Sequence, residues 1–301
     1  MAAPAAAMQA IDWEIPEQIG LWSDAWHRFR RNKVAVLGLV IVAILILDAV
    51  LAPLMQRIGL IKDPIAQNVV ISYASPGAGH WLGTDSLGRD TQSRLMFGAQ
   101  ISLMIGILVQ GIYLIIGGTI GLTAGYFGGR VDNLLMRFTD VWYAFPDLIF
   151  VLVLVAVYGA SLFSIFVAIG IVNWVGLARL IRGQVLSIKE REYVEAAHAT
   201  GSSPLKIILR HLVPNSLGPI IVQITFGIPN AILLEAILSF LGVGIPPPTP
   251  TWGRMVQDGS EAIFANPTQV LFPALAIAMT MLAFTFIGDG LRDALDPRMR
   301  R

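Results

Sequence analysis

Three acidic side chains stand where acids are expensive. Asp48, Asp147 and Glu235 lie in or at the rim of long apolar runs, and a carboxylate in hydrocarbon needs a partner, water or a proton to carry, so such residues often act as proton or cation relays. Glu235 follows Pro229-Asn230 by roughly one and a half helical turns, so Gln223, Asn230 and Glu235 are candidates for a polar pathway along one apolar segment. Hydrogen bonding between helices accounts for the same residues equally well. Asp147 follows Pro146 at a helix start, where the helix dipole accommodates an acid for structural reasons. Asp48 sits near the end of its run, where burial costs less than at the centre.

Covalent chemistry has no visible home. There is no His-Glu-x-x-His and no Gly-x-Ser-x-Gly, and the four histidines, His27, His80, His198 and His211, all fall outside the apolar runs. The absence of cysteine excludes disulfides and thiolate ligands. Walker A chemistry needs Gly-x-x-x-x-Gly-Lys-Ser/Thr, but Lys33, Lys62, Lys189 and Lys206 follow Asn32, Ile61, Ile188 and Leu205. No catalytic, cofactor or metal site is expected in this chain. If it moves a solute uphill, the free energy enters from a nucleotide-binding partner or from an ion gradient.

The elements that hold these residues are dictated by the solvent. With 55% hydrophobic and 14% charged residues and a mean hydropathy of +0.68, the chain is far more apolar than a soluble domain, which carries about 25% charged residues. Crossing the hydrocarbon takes roughly 20 apolar residues of helix. Six segments qualify, at about 34–53, 101–124, 139–158, 161–180, 217–241 and 270–288. The expectation is an all-α polytopic membrane protein, with an N-terminal segment 1–33 ahead of one membrane domain, 34–301. Placed with its N-terminus inside, the chain puts 16 of its 21 basic residues on cytoplasmic segments, leaving Arg57, Lys62, Arg89, Arg94 and Arg254 outside. Such a bias predicts cytoplasmic termini and a cytoplasmic loop at 181–216. Met1 to Ala10 lacks the basic and apolar regions of a cleavable signal peptide.

Trp22, Ala25, Trp26 and Phe29 fall at i, i+3, i+4 and i+7, which predicts a helix lying in the headgroup region. Outside, Leu82 to Asp90 reads as a folded surface loop whose acids can pair with Arg89 or Arg94, and the stiff run Pro246 to Pro250 can hold Trp252 at the interface. The glycines of Gly125 to Asp132 predict a tight turn. Gly117, Gly118, Gly121 and Gly125 permit close helix packing. Pro146, Pro229 and Pro273 are each expected to kink or locally open a helix.

One polar island interrupts the apolar pattern, from Glu192 to Gly201 and on to His211-Leu212-Val213-Pro214-Asn215. It reads as two short helices broken at Gly201: Ser203 can cap the second, Pro204 suits its first turn, and Leu205, Ile208, Leu209 and Leu212 share a face until Pro214 ends it. Ala196 and Ala197 are too small to hold another backbone away, and Glu195 offers a charge that a partner's arginine or lysine can meet. That combination is a docking surface.

The same residues carry a resemblance. Glu195-Ala196-Ala197, Gly201 and His211-Leu212-Val213-Pro214 resemble the EAA loop of ABC-importer permeases, although the generic pattern ends Ile-x-Leu-Pro, where this chain has His211 and Val213. Gly83 to Asp90, Gly125 to Gly129, Arg191-Glu192-Tyr193, His211 to Asn215, Pro247 to Gly253 and Gly288 to Pro297 look like the dipeptide/oligopeptide permease family, specifically its C-type subunit, in the family's order over about residues 22–300. The resemblance implies a type I (MetI-like) bundle in the bacterial cytoplasmic (inner) membrane. Tyr193, Glu195, Ala196, Ala197, Gly201, His211 and Pro214 would then couple to a cytoplasmic ATPase. It further implies a paralogous B-type permease, one or two kinds of ATPase subunit that hold ATP and Mg, an extracytoplasmic substrate-binding protein, surrounding lipid and no nucleic acid. The cargo would be dipeptides, oligopeptides or related small solutes. An ion-gradient-driven secondary transporter, working through Glu235 or Asp147, is the rival expectation.

Overall fold

A computed structural model describes residues 20–77 and 79–296. The signal-peptide reading at Met1 to Ala10 and the terminal basic residues Arg298, Arg300 and Arg301 lie outside them. Twelve α-helices make up the described chain, in the order α1 (Leu21–Arg31), α2 (Lys33–Arg57), α3 (Thr91–Phe127), α4 (Gly129–Tyr143), α5 (Asp147–Tyr158), α6 (Leu162–Val172), α7 (Val175–Lys189), α8 (Glu192–Ala199), α9 (Pro204–Ile207), α10 (Val213–Phe240), α11 (Trp252–Ser260) and α12 (Thr268–Leu295). A 3₁₀ turn at Val69–Ile71 and a π turn at Ile208–Leu212 complete them. The all-α expectation holds.

Four helical segments are long and apolar enough to cross a membrane unaided: α2, α3, α12 and the continuous stretch Pro204–Phe240. The other two expected spans are not straight helices. Residues 139–158 are split between α4 and α5, which meet at 81°, and 161–180 between α6 and α7, which meet at 42°. Pro146 explains the first break, because it heads α5 without an amide hydrogen to bond backwards. Asn173 and Trp174 stand at the second. Pro229 and Pro273 lie inside unbroken α10 and α12, so only Pro146 of the three separates two helices.

The helix starts follow from local chemistry. The Asn32 side chain accepts from the Val34 and Ala35 amides, Asp90 from Ser93, and Thr251 from Arg254, each satisfying a backbone N–H that the first turn leaves unpaired. Ser161 and Ser164 cap α6 reciprocally.

Small residues set the spacing between helices. A β-carbon on Gly117 would lie 2.8 Å from the Trp174 oxygen, and one on Gly125 would lie 2.7 Å from Val185 Cβ, so α3 and α7 run backbone to backbone. Gly118, grouped with them on sequence, stands off this seam, its nearest neighbour being its own helix's Leu114. Gly38 of α2 approaches the Ala283 oxygen of α12 in the same way, at 2.5 Å. α1 docks through Ala25 and Phe29, which are buried, whereas Trp22 and Trp26 remain exposed. Its expected apolar stripe is therefore shared between the protein and its surroundings.

At the end of the bundle reached by α2 and left by α3, the Leu82 to Asp90 loop is buried in large part and is no surface loop. Asp85 takes Arg89 at 2.7 Å and Arg94 at 3.4 Å, and Asp258 of α11 takes Arg89, Arg94 and Arg254 at 3.2, 3.1 and 2.9 Å. Trp252 departs from the interfacial expectation. It is 1% exposed, its indole N–H donates to the Leu95 oxygen at 3.0 Å, and it packs on Gly98 of α3. The loop and α11 thus close this end through interior contacts.

Candidate functional site

At the opposite end, α8 forms a foot. Its first turn follows extended Arg191, and Val194 is fully buried in an apolar cluster with Ile188, Ile207 and Leu212. His198 stacks on Tyr126 at 5.9 Å, and the Tyr193 ring lies 6.0 Å from His211. These contacts hold one face of α8. Glu192, Glu195 and Ala196 are exposed on the other, Ala197 is half-buried between, and the Glu195 carboxylate has no hydrogen bond or ion pair among the described residues. A short helix whose Ala196 and two unpaired carboxylates, Glu192 and Glu195, face outward presents a shape and a charge for another surface.

Gly201 ends the foot by chain reversal. Its φ is +75°, its amide donates to the His198 oxygen at 2.9 Å, and the next amide, of Ser202, donates to Ala197 at 3.1 Å. A left-handed residue closing a helix in this way is a glycine position. Ser203 occupies the N-cap of α9 but makes no side-chain cap bond, and Pro204 opens the helix as expected.

Pro214 does not end that helix. The chain passes from α9 through the π turn Ile208–Leu212 directly into α10, with Pro214 in the first turn of α10. The wider turn relieves the clash that a proline ring makes with the carbonyl four residues earlier. It also resets the buried face. Ile207 and Leu212, five apart, are fully buried, while Leu205 and Leu209 of the expected face are 65% and 59% exposed.

Two cavities follow α10 inward. A groove of about 830 Å³ at the foot end is lined by Gln184, Pro214, Gly218, Gln223, Phe226 and Arg292, among others. A recess of about 210 Å³ deeper in the bundle is lined by Gln110, Tyr113, Asn173, Gln223, Gly227 and Asn230, among others. Gln223 belongs to both, so the two cavities meet at its side chain. The bend between α6 and α7 brings Asn173 to the recess, while Gly176 and Gly227 keep side chains out of it.

The candidate residues divide accordingly. Tyr193, Glu195, Ala196, Ala197, Gly201 and His211 gather at the foot, Pro214 stands in the groove, and Gln223 and Asn230 line the recess. Glu235 stands apart from them: it is fully buried, accepts from Ser239 at 2.7 Å, and faces Thr251 at the start of α11. Asp147 is exposed at the first residue of α5, outside the recess lining. Asp48 lies exposed on α2. Gln110, Tyr113 and Asn173 were not singled out from sequence. Gln110 had a signal, being the one amide side chain in the apolar run 101–124.

Polar side chains pin the foot end of the bundle. Arg182 of α7 donates to both oxygens of Asp132 on α4 at 2.5 and 2.6 Å, and Lys189 donates to the Gly125 oxygen of α3 at 3.0 Å. Paired guanidinium and carboxylate planes of this kind fix orientation as well as distance.

Residues 117–301 match the family model of the binding-protein-dependent transport system inner membrane component, and residues 20–75 match the N-terminal TM domain of oligopeptide transport permease C. The chain is 42% identical to the oligopeptide transport system permease protein OppC of Bacillus subtilis, over 99% of this chain and 97% of that one. It is 43% identical to the dipeptide transport system permease protein DppC of the same organism, over 92% and 86%. The glutathione transport system permease protein GsiD of Pectobacterium atrosepticum is 39% identical over 93% and 92%. Among solved structures, a chain of the MetNI methionine ABC transporter in an inward-facing conformation superposes with a TM-score of 0.51 at 19% identity, covering 67% of this chain and 96% of that one, a likeness of fold.

Proposed function

This chain belongs to the family of binding-protein-dependent transport system inner membrane components, within its oligopeptide and dipeptide permease branch, and we propose that it supplies half of a peptide importer's membrane passage while separate ATPase subunits drive it. Membership in this family sets aside the ion-gradient-driven reading. Glu235, bonded to Ser239 within α10 and facing Thr251 at the start of α11, then has a structural role where the two helices meet.

In this reading the foot end is cytoplasmic, with both termini on that side of the bacterial inner membrane, as the distribution of basic residues favours. Segment 1–33 precedes the permease domain at 34–301, and Trp22 and Trp26 of α1 anchor it at the lipid interface. The coupling segment is 181–216. Glu195, Ala196, Ala197 and Gly201 form the surface that rests on the ATPase, with Tyr193, His211 and Pro214 supporting it. ATP and Mg are held by the ATPase subunits, and this chain performs no covalent step. A paralogous B-type permease closes the open side of the groove and recess, and an extracytoplasmic binding protein delivers cargo to the end built on α11. Conformations open to either side would then alternate as the ATPase cycles.

The observation that carries this reading is the outward face of α8: an unpaired Glu195 carboxylate beside Ala196, on a foot that packs through Val194 against Ile207 and Leu212 of the continuous helical stretch Pro204–Phe240 that lines the recess. Co-expression with the subunits encoded by neighbouring genes, followed by affinity purification, tests it. The wild-type chain brings down an ATPase, and Glu195→Arg reduces the recovered ATPase by about tenfold, the effect of about 1.4 kcal/mol lost at the contact. An assembled chain that never recovers an ATPase overturns the proposal.

A further inference from the structure

Gln110 has an amide donor that nothing among the described residues answers. Its side chain is 4% exposed and lines the recess, yet Nε2 has no hydrogen-bond partner among the described residues. The fold makes room for this amide: a β-carbon on Gly227 would collide with Gln110 Oε1, so the glycine of α10 is what lets the α3 amide seat there. A buried donor left open by its own fold marks a place where an acceptor comes from elsewhere.

The surroundings state what kind of acceptor. The polar groups of the recess are the amides of Gln110, Asn173, Gln223 and Asn230 and the phenol of Tyr113, with no charged side chain in the lining. A carboxamide offers both donors and an acceptor, the same complement as a peptide bond. Fixed charges here would favour or trap cargo by its side-chain charge, because a low-dielectric site strengthens every ionic contact. Neutral amides do neither. The relatives of this chain are named for oligopeptides, dipeptides and glutathione, molecules whose side chains differ and whose amide bonds do not.

We propose that the recess recognises the main chain of the passing peptide, with Gln110 Nε2 donating to a substrate carbonyl oxygen and the neighbouring amides meeting its other main-chain groups. The inference rests on the peptide-importer reading and deepens it. Gly176 is the open wall of the same site, since a β-carbon there meets nothing within 4 Å.

The test uses the complete transporter in proteoliposomes, supplied at saturating concentration with receptor preloaded with trialanine or with its trans-alkene isostere, in which one amide is replaced by CH=CH. The wild-type complex moves trialanine about tenfold faster than the isostere. Gln110→Met, which keeps the volume and removes the donor, slows trialanine about tenfold and erases the difference between the two probes. Gly176→Val, which fills open space, blocks both probes without preventing assembly. Equal wild-type rates for the two probes, or discrimination retained by Gln110→Met, overturns the inference and leaves the importer reading standing. A wild-type complex that moves neither probe removes both. Should Gln110→Met fail to assemble, the comparison of probes in the wild-type complex still decides.

Discussion

A β-carbon on Gly121 would stand 2.5 Å from the carbonyl oxygen of Ala178, closer than any side chain on α3 can approach the backbone of α7. Gly121→Val should therefore force the two helices apart, destabilising the bundle by about 1–3 kcal/mol, the usual penalty of overpacking. Gly111 on the same helix has nothing within 4 Å of an added β-carbon. Thermal unfolding in detergent should show a lowered midpoint for Gly121→Val and none for Gly111→Ala.

Asp258 accepts from three guanidinium groups, those of Arg89, Arg94 and Arg254, and the Arg94 side chain is only 2% exposed. Asp258→Asn would leave Arg89 and Arg94 with Asp85 alone and take the ion-pair partner from Arg254, and stripping one partner from a buried charge network costs about 3–5 kcal/mol. Arg179 and Asp140 also pair, but with side chains 42% and 67% exposed. Arg179→Ala should accordingly change stability by less than about 1 kcal/mol, and raising the salt concentration should blunt that change further. Melting curves of the two variants at low and high salt compare them.

Gly201, at φ +75°, has open space around it, so backbone conformation alone penalises a side chain there. A β-branched residue in the left-handed region costs about 1–2 kcal/mol, whereas asparagine tolerates it. Limited proteolysis of the assembled complex should find the 198–204 turn more readily cleaved in Gly201→Val and nearly unchanged in Gly201→Asn. Global melting should move little, since α8 is joined to the core mainly through Val194.

Trp252→Phe removes the indole donor to the Leu95 oxygen while keeping most of the ring against Gly98. The loss should be about 1 kcal/mol for the hydrogen bond. Trp252→Ala leaves a cavity as well, at about 3–5 kcal/mol. The difference between the two midpoints measures packing separately from the bond.

Where crossing segments begin and end was legible because the bilayer demands long apolar runs, and 34–53 and 270–288 fall within α2 and α12. Bends were legible only where covalent chemistry announces them. Pro146 lacks an amide hydrogen and marks the 81° break, while Asn173-Trp174, at the 42° bend, contains no residue that forbids a straight helix. Pro214 misled for a related reason: a proline ends an ordinary helix, and the π turn that accommodates it gives no sequence signal. The glycines of α3 showed that something packs closely. Their own spacing did not show that Trp174, Ala178 and Val185 are what packs there, because a contact depends on both surfaces. The foot was readable as a cluster because its residues are near neighbours in the chain. The recess was not, since Gln110, Asn173 and Gln223 lie far apart and meet only after the bundle closes.

The unbroken passage from Pro204 to Phe240 makes one rod of 37 residues, about 55 Å at the rise of a helix. Ile207 is locked into the cluster that receives Val194, and Gln223 and Asn230 stand farther along the same rod. A tilt imposed at its base is therefore carried to the interior along one continuous helix, through the π turn and past Pro219. The π turn and the prolines are where the backbone ladder of this crankshaft departs from the ordinary helix, so stiffening or deleting that turn would change how far the lining swings for a given push.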